Sequence, residues 1–180
     1  MPNLRRRLLA TAVLLAAVVA PAAAQNTVSL EEGAITFDLP EGFTQLTAEQ
    51  IATKYPAGPS APRYAFGTVP DIVVSVAVTF SPASVTPEQL PELRDAMAEM
   101  MPRLNPTIQV VAKEMVEING RTWVHLESTS QAIDTQIHNH TFLTSFRGKM
   151  LGFNFNSTKE KYYEVREQLL QSSRSIRLTQ

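Results

Sequence analysis

The sequence predicts an α+β domain in which helices pack on an antiparallel sheet, and three observations carry that prediction. Between Thr107 and Asn156 the chain is a succession of β-prone segments separated by turn residues. Asn119-Gly120 divides two of them, and this dipeptide tolerates positive φ at both turn positions, which closes an antiparallel hairpin. Before and after this region lie segments with apolar residues three or four apart, each preceded by a hydroxyl residue able to cap a helix.

The first 24 residues read as an export signal and stand outside the domain. Arg5, Arg6 and Arg7 form a basic start, Leu8 to Ala20 an apolar run, and Ala22-Ala23-Ala24 a small-residue cleavage site before Gln25. The apolar run is shorter than the roughly 20 residues a membrane-spanning helix needs, so cleavage between Ala24 and Gln25 is expected. The remaining chain, 25–180, has the length of a single domain, periplasmic or secreted, with no stable membrane anchor. The sequence contains no cysteine, hence no lipid-accepting residue and no disulfide, and the core alone must stabilise the fold.

Within the domain, Ile35 and Phe37 alternate with Thr36 and Asp38 and Pro40 ends the run, the pattern of a short strand preceded by a turn at Glu32-Gly33. Thr47 and Gln50 form a capping box that opens a short helix, which must stop by Pro56. Lys54 to Arg63 is proline-rich and reads as a loop. Asp71 to Phe80 is β-branched and nearly continuously apolar, as expected of a strand covered on both faces in the middle of the sheet. Thr86-Pro87-Glu88-Gln89 starts a helix whose stripe is Leu90, Leu93, Met97, Met100 or Met101, and Leu104.

A meander follows, with strands over Ile108 to Ile118, Arg121 to Ser130, Thr135 to Phe146 and Met150 to Asn156. Ser157 to Glu160 reads as a second capping box, opening a last helix that buries Tyr162, Val165, Leu169 and Leu170.

Composition excludes several function classes. Arg5, Arg6 and Arg7 belong to the signal, so the mature chain is mildly acidic and has no clustered positive stripe for nucleic acid. No G-x-S-x-G elbow, H-E-x-x-H or phosphate-binding glycine loop occurs, and seven glycines in the whole chain form no G-x-G-x-x-G cluster. A non-enzymatic module without a cofactor is expected. The loop residues Tyr55, Arg63 and Tyr64 are candidate anchors for a protein partner in the cell envelope, since exposed aromatics and arginine typify interfaces.

One constellation has metal-ligand chemistry. His138 and His140 share a face of one strand, and His125 and Glu127 share a face of the strand before it. With a turn centred on Ala132-Ile133, His125 lies opposite His140, Glu127 opposite His138, and Trp123 opposite Phe142. Neutral imidazoles with a carboxylate suit zinc or another borderline divalent ion. The alternative is a solvated sheet face on which His, Glu and Gln136 simply meet water. A hydrolase with no local signature is a third reading.

The order of ITFDLPEGF, LTAEQIATKYP, IVVSVAVTF, EINGRTWVHLES, GKMLGFNFNST and a closing helix ending in SSRSI resembles the PsbP-like exported domains, which include DcrB-like envelope proteins. The resemblance spans nearly all of the chain after the signal. It implies an αβα sandwich around an antiparallel sheet, and a partner-docking role without a shared catalytic set. The chain departs from DcrB-like lipoproteins in lacking the acylated cysteine.

Overall fold

Asn26–Leu30 (β1) and Ile35–Leu39 (β2) form a hairpin whose connection, Glu31–Gly33, holds three consecutive residues at positive φ. The computed structural model describes residues 26–55, 57–58, 61–132 and 135–179. The export signal with its Ala24-Gln25 cleavage site, Pro56, Pro59, Ser60 and the expected turn residue Ile133 lie outside these. The hairpin bears out the strand around Ile35 and the turn at Glu32-Gly33 and adds a partner strand.

The chain continues through Thr44–Gln45 (β3), Ala48–Lys54 (α1), Tyr64–Gly67 (β4) and Val74–Ser84 (β5). Thr47 caps α1 as its sequence pattern requires: the Gln50 amide donates to its hydroxyl (3.2 Å) and its own amide donates to the Gln50 side chain (2.8 Å). After one 3-10 turn over Pro87–Gln89 come Leu90–Leu104 (α2), then the meander Gln109–Ile118 (β6), Arg121–Gln131 (β7), Gln136–Phe146 (β8) and Lys149–Thr158 (β9). Lys159–Arg174 (α3) and Arg177–Leu178 (β10) close the chain.

Seven strands form one antiparallel sheet in the order β3-β4-β5-β9-β8-β7-β6, and β1-β2-β10 form a second, small sheet. The middle position belongs to β9 rather than to β5, whose first five residues are nevertheless all buried. Two short strands, β3 and β4, precede β5 on its outer side; they carry too few residues for a clear period.

Each face of the large sheet has its own core. On one face Phe37 of β2 meets Phe66 and Phe153 edge to face at 5.6 and 5.2 Å, Trp123 meets Phe153 at 6.0 Å, and Leu169 of α3 and Ile176 complete the cluster. On the other, Leu90, Leu93, Met97 and Met101 of α2 cover Val124, Leu126 and Leu143. These layers give the α+β sandwich the sequence predicts. The stripe on α2 resolves in favour of Met101; Met100 is 43% exposed and Leu104, at the last turn, 75%. The stripe on α3 is as expected, with Tyr162 and Leu169 buried and Val165 and Leu170 packed at the margin.

The start of α3 differs from expectation. β9 runs through Thr158, and Thr158 takes the N-cap position without a side-chain hydrogen bond. Ser157, expected to be the cap, is instead the buried penultimate residue of the strand, because its pairing with His138 and Val74 claims it for the ladder.

The Asn119-Gly120 turn has φ values of 49° and 76°, and it also anchors the end of the chain. Asn119 Nδ2 donates to the carbonyls of Arg174 (3.0 Å) and Ile176 (2.8 Å), while Ser172 Oγ donates to Asp38 O (2.6 Å) and Ser175 Oγ accepts from Asp38 N (2.8 Å). The SSRSI segment is thus fastened to both β2 and the β6–β7 hairpin. Replacing Asn119 with glycine keeps the turn and removes the two hydrogen bonds, an expected loss of about 1 kcal/mol; alanine adds backbone strain and should cost about 2–3 kcal/mol in urea unfolding.

Candidate functional site

The strands β7 and β8 pair so that Glu127 lies opposite His140 and His125 opposite Phe142. This register is offset by two residues from the expected one, because Gln131 pairs with Gln136 and leaves four residues, 132–135, in the connection. Glu127 is therefore not opposite His138, nor Trp123 opposite Phe142. An even offset keeps every side chain on its face, so the convergence of all three histidines with Glu127 survives the correction.

The shared face is the one that α3 covers, continuous with Phe142, Phe153 and Phe155. His140 is 1% exposed, and the His125, His138 and Glu127 side chains are 12%, 15% and 19% exposed. The cluster forms the polar end of a buried layer with one rim open to solvent, rather than a solvated sheet face. Tyr162, in the first turn of α3, lies parallel to the His138 ring at a centroid distance of 3.5 Å.

Hydrogen bonds connect the whole group. His138 Nε2 lies 2.7 Å from Glu127 Oε1, Tyr162 Oη donates to the same oxygen at 3.2 Å, His140 Nε2 lies 3.1 Å from Tyr162 Oη, and His125 Nε2 lies 3.0 Å from His140 Nδ1. Arg166 Nε, one turn further along α3, donates to Tyr162 Oη at 3.1 Å. Counting donors orders the protons. Arg166 can only donate and an ionised Glu127 can only accept, so the phenol gives its proton to Glu127 and receives one from His140 Nε2. Neutral His140 then accepts at Nδ1 from His125, and His138 donates to Glu127.

The environment shifts these groups in a consistent direction. Burial pushes His140 down to about 4, only partly opposed by the charge of Glu127, so it is neutral at ordinary pH. Burial likewise lowers His125, against the pull of Glu114 and Glu127. Burial pulls Glu127 upward, but its hydrogen bond from His138, the positive charge available on His140 and the bond from Tyr162 outweigh that and hold it below the ordinary carboxyl value. Burial raises Tyr162, with the Arg166 hydrogen bond acting against it. A neutral His140 beside an ionised Glu127 presents the lone pairs a cation needs at neutral pH.

Glu127, His138 and His140 each offer a donor atom within 4.8 Å of the other two. A tetrahedral ion at 2.0–2.1 Å holds its donors roughly 3.3 Å apart, a separation between the 2.7 Å of the Glu127–His138 pair and the 4.8 Å within which all three donor atoms lie. His125 stands behind His140, bonded to its Nδ1, where it can orient that ring. Ser157, directly across the strand pair from His138, has a buried hydroxyl with no hydrogen-bond partner among the described residues. Tyr162 and Arg166 were invisible as site residues in the sequence, where Tyr162 reads as part of an apolar stripe; the polar tip of a buried tyrosine, which needs a partner, is the signal that points to it.

The candidate interface residues lie elsewhere. Tyr55 Oη bonds Ser75 Oγ at 3.0 Å, and Ser75 continues to Asn156 Oδ1 at 2.7 Å. Tyr64 Oη donates to Glu31 Oε1 at 2.8 Å, and Arg63, 60% exposed, bridges to Glu31 at 3.1 Å while lying over the Tyr64 and Phe80 rings. An open depression of about 850 Å3, lined by Asp38, Pro40, Gln171 and Arg174 among others, also lies away from the histidines.

No family model matches the chain, and none of the curated proteins is detectably similar to it in sequence. Solved structures are similar in fold. Cyanobacterial PsbP (CyanoP) from Synechocystis sp. PCC 6803 superposes with a TM-score of 0.62 at 12% identity, over 92% of this chain and 99% of that one. LpqN, involved in cell envelope biogenesis of Mycobacterium tuberculosis, gives 0.57 at 11% identity over 86% and 90%. A Pseudomonas aeruginosa protein of unknown function, PA94, gives 0.50 at 14% over 87% and 98%. At these identities the likeness speaks for the fold alone, and the chain has a PsbP-like α+β fold. None of the three is described as an enzyme. Among the described residues no helix is long and apolar enough to cross a membrane.

The depressed His140 has a measurable consequence for stability. Its folded-state value lies below the unfolded one, so its contribution to stability is complete above about pH 6.5 and is lost as pH falls toward 4. Unfolding free energy measured by urea titration should drop by about 1–3 kcal/mol over that interval, and His140→Phe should flatten that part of the profile.

Proposed function

We propose that this chain is an exported, non-enzymatic module of the cell envelope that binds a single transition-metal ion through Glu127, His138 and His140. The observation that carries this reading is the convergence of these three donors, with His140 held neutral, in a layer that is otherwise apolar. Two imidazoles and a carboxylate suit zinc-like ions better than calcium or magnesium, which prefer all-oxygen shells. The side chains fill the site at hydrogen-bonding distances, which favours an ion over an organic ligand. Ser157, buried and unpartnered across from His138, supplies a further polar group at its margin. The basic and apolar N-terminal segment supports export, and the absence of recognisable catalytic motifs supports a binding role.

Calorimetric titration of the mature chain with zinc should give one site per molecule. His138→Ala and His140→Ala should each weaken it about 100-fold or more, and His125→Ala about 10-fold, as expected for direct ligands and for a residue orienting one. Heat that neither His138→Ala nor His140→Ala changes sinks the proposal.

A second reading, docking of an envelope protein, is favoured by Arg63, which lies exposed over two aromatic rings at the end of the proline-rich loop. Crosslinking in intact cells should capture one partner that Arg63→Ala loses; capture unaffected by that substitution excludes the loop as the interface.

A further inference from the structure

Tyr162 occupies the same donor set as the three proposed ligands. Its Oη is 3.1 Å from His140 Nε2 and 3.2 Å from Glu127 Oε1, inside the 4.8 Å that spans the three proposed ligands. The parallel stack of its ring on His138 brings Oη and His138 Nε2 to the same carboxylate oxygen, so both project from one edge of the stack. Arg166, donating at 3.1 Å, places a permanent positive charge on the phenol oxygen.

We infer that Tyr162 is a fourth ligand, and that the site is built to hold ferric iron through two imidazoles, one carboxylate and one phenolate. The inference rests on the metal-binding reading above and deepens it. Neutral imidazoles contribute no charge, so Glu127 and a Tyr162 phenolate together bring two negative oxygens, a set that matches a small, highly charged oxidised ion better than a soft or weakly charged one. As the ion binds, the Tyr162 Oη–H bond is replaced by an Oη–metal bond and the proton passes to solvent through the Glu127 rim, no oxidant or reductant being needed for an ion supplied as Fe(III). The nearby cation reverses the electrostatics that keep this phenol protonated in the empty site. Arg166 retains its hydrogen bond to the phenolate oxygen. His138 and His140, ligating through Nε2, each carry their proton on Nδ1 instead; His140 then donates to His125 Nε2, and His125 moves its own proton to Nδ1, 3.8 Å from Glu114 Oε2, which turns the hydrogen bond between the two rings around.

Phenolate bound to ferric iron absorbs visible light by charge transfer, whereas imidazole and carboxylate ligands alone do not give that band. The mature protein is titrated with ferric nitrilotriacetate and followed by visible absorbance, in parallel with zinc calorimetry on the same preparations. The expected result is a coloured species that saturates at one iron per chain, is lost in Tyr162→Phe and persists in Tyr163→Phe, whose ring is 84% exposed. Tyr162→Phe keeps the stack on His138, and an unchanged near-ultraviolet circular dichroism spectrum verifies its fold. Its zinc affinity should fall less than 10-fold. A band that survives in Tyr162→Phe, or no band in a protein that binds zinc through His138 and His140, overturns the inference and leaves the metal-binding reading standing. Absence of both the band and the zinc heat overturns the two together.

Discussion

The β7–β8 pairing is the constraint on which the site and much of the core depend. It decides which side chains face α3 and which face α2, and side-chain direction in a strand has only two values. In the observed register Trp123, His125, Glu127, His138, His140 and Phe142 all lie under α3, while Val124, Leu126 and Leu143 lie under α2. An odd slip would exchange the two sets on one strand, burying leucines against the phenol of Tyr162 and aiming imidazoles at the methionines of α2. The pairing of β8 with β9 on its other edge helps to hold the register.

A polar cluster inside such a layer is costly unless every group finds a partner. Here nearly every group does. The chain of hydrogen bonds from His125 through His140 and Tyr162 to Glu127, joined by His138 and Arg166, satisfies the inward-facing atoms and fixes their tautomers. The Tyr162 and His138 protons point toward one oxygen of Glu127, and those of His140 and His125 follow in a chain behind the phenol.

The C-terminal fastening belongs to the same scheme. α3 supplies Tyr162 and Arg166 from its first two turns, and its position over the sheet is fixed at the other end by Ser172, Ser175 and the carbonyls bound by Asn119. The hairpin turn, which as sequence is only a chain reversal, thus helps to place a helix whose opposite end completes the site.

What the sequence determined by itself was local. Turn residues such as Asn119-Gly120, the Thr47 capping box, the period of α3 and the alternation of the meander strands each follow from the conformational preferences of a few neighbouring residues, and they suffice for the fold class. The same parity argument put His125, Glu127, His138 and His140 on common faces, because it needs only an even connection. Tertiary structure decided the rest. It put β9 rather than β5 at the middle of the sheet, drew Ser157 into the ladder instead of onto a helix cap, chose Met101 over Met100, and shifted the hairpin by two residues. It also brought Tyr162 and Arg166, 35 and 39 positions from Glu127, into a site their own surroundings in the chain do not announce. Each of these outcomes depends on which distant surfaces meet, and long-range packing and strand pairing are competitions among partners that a local pattern does not encode.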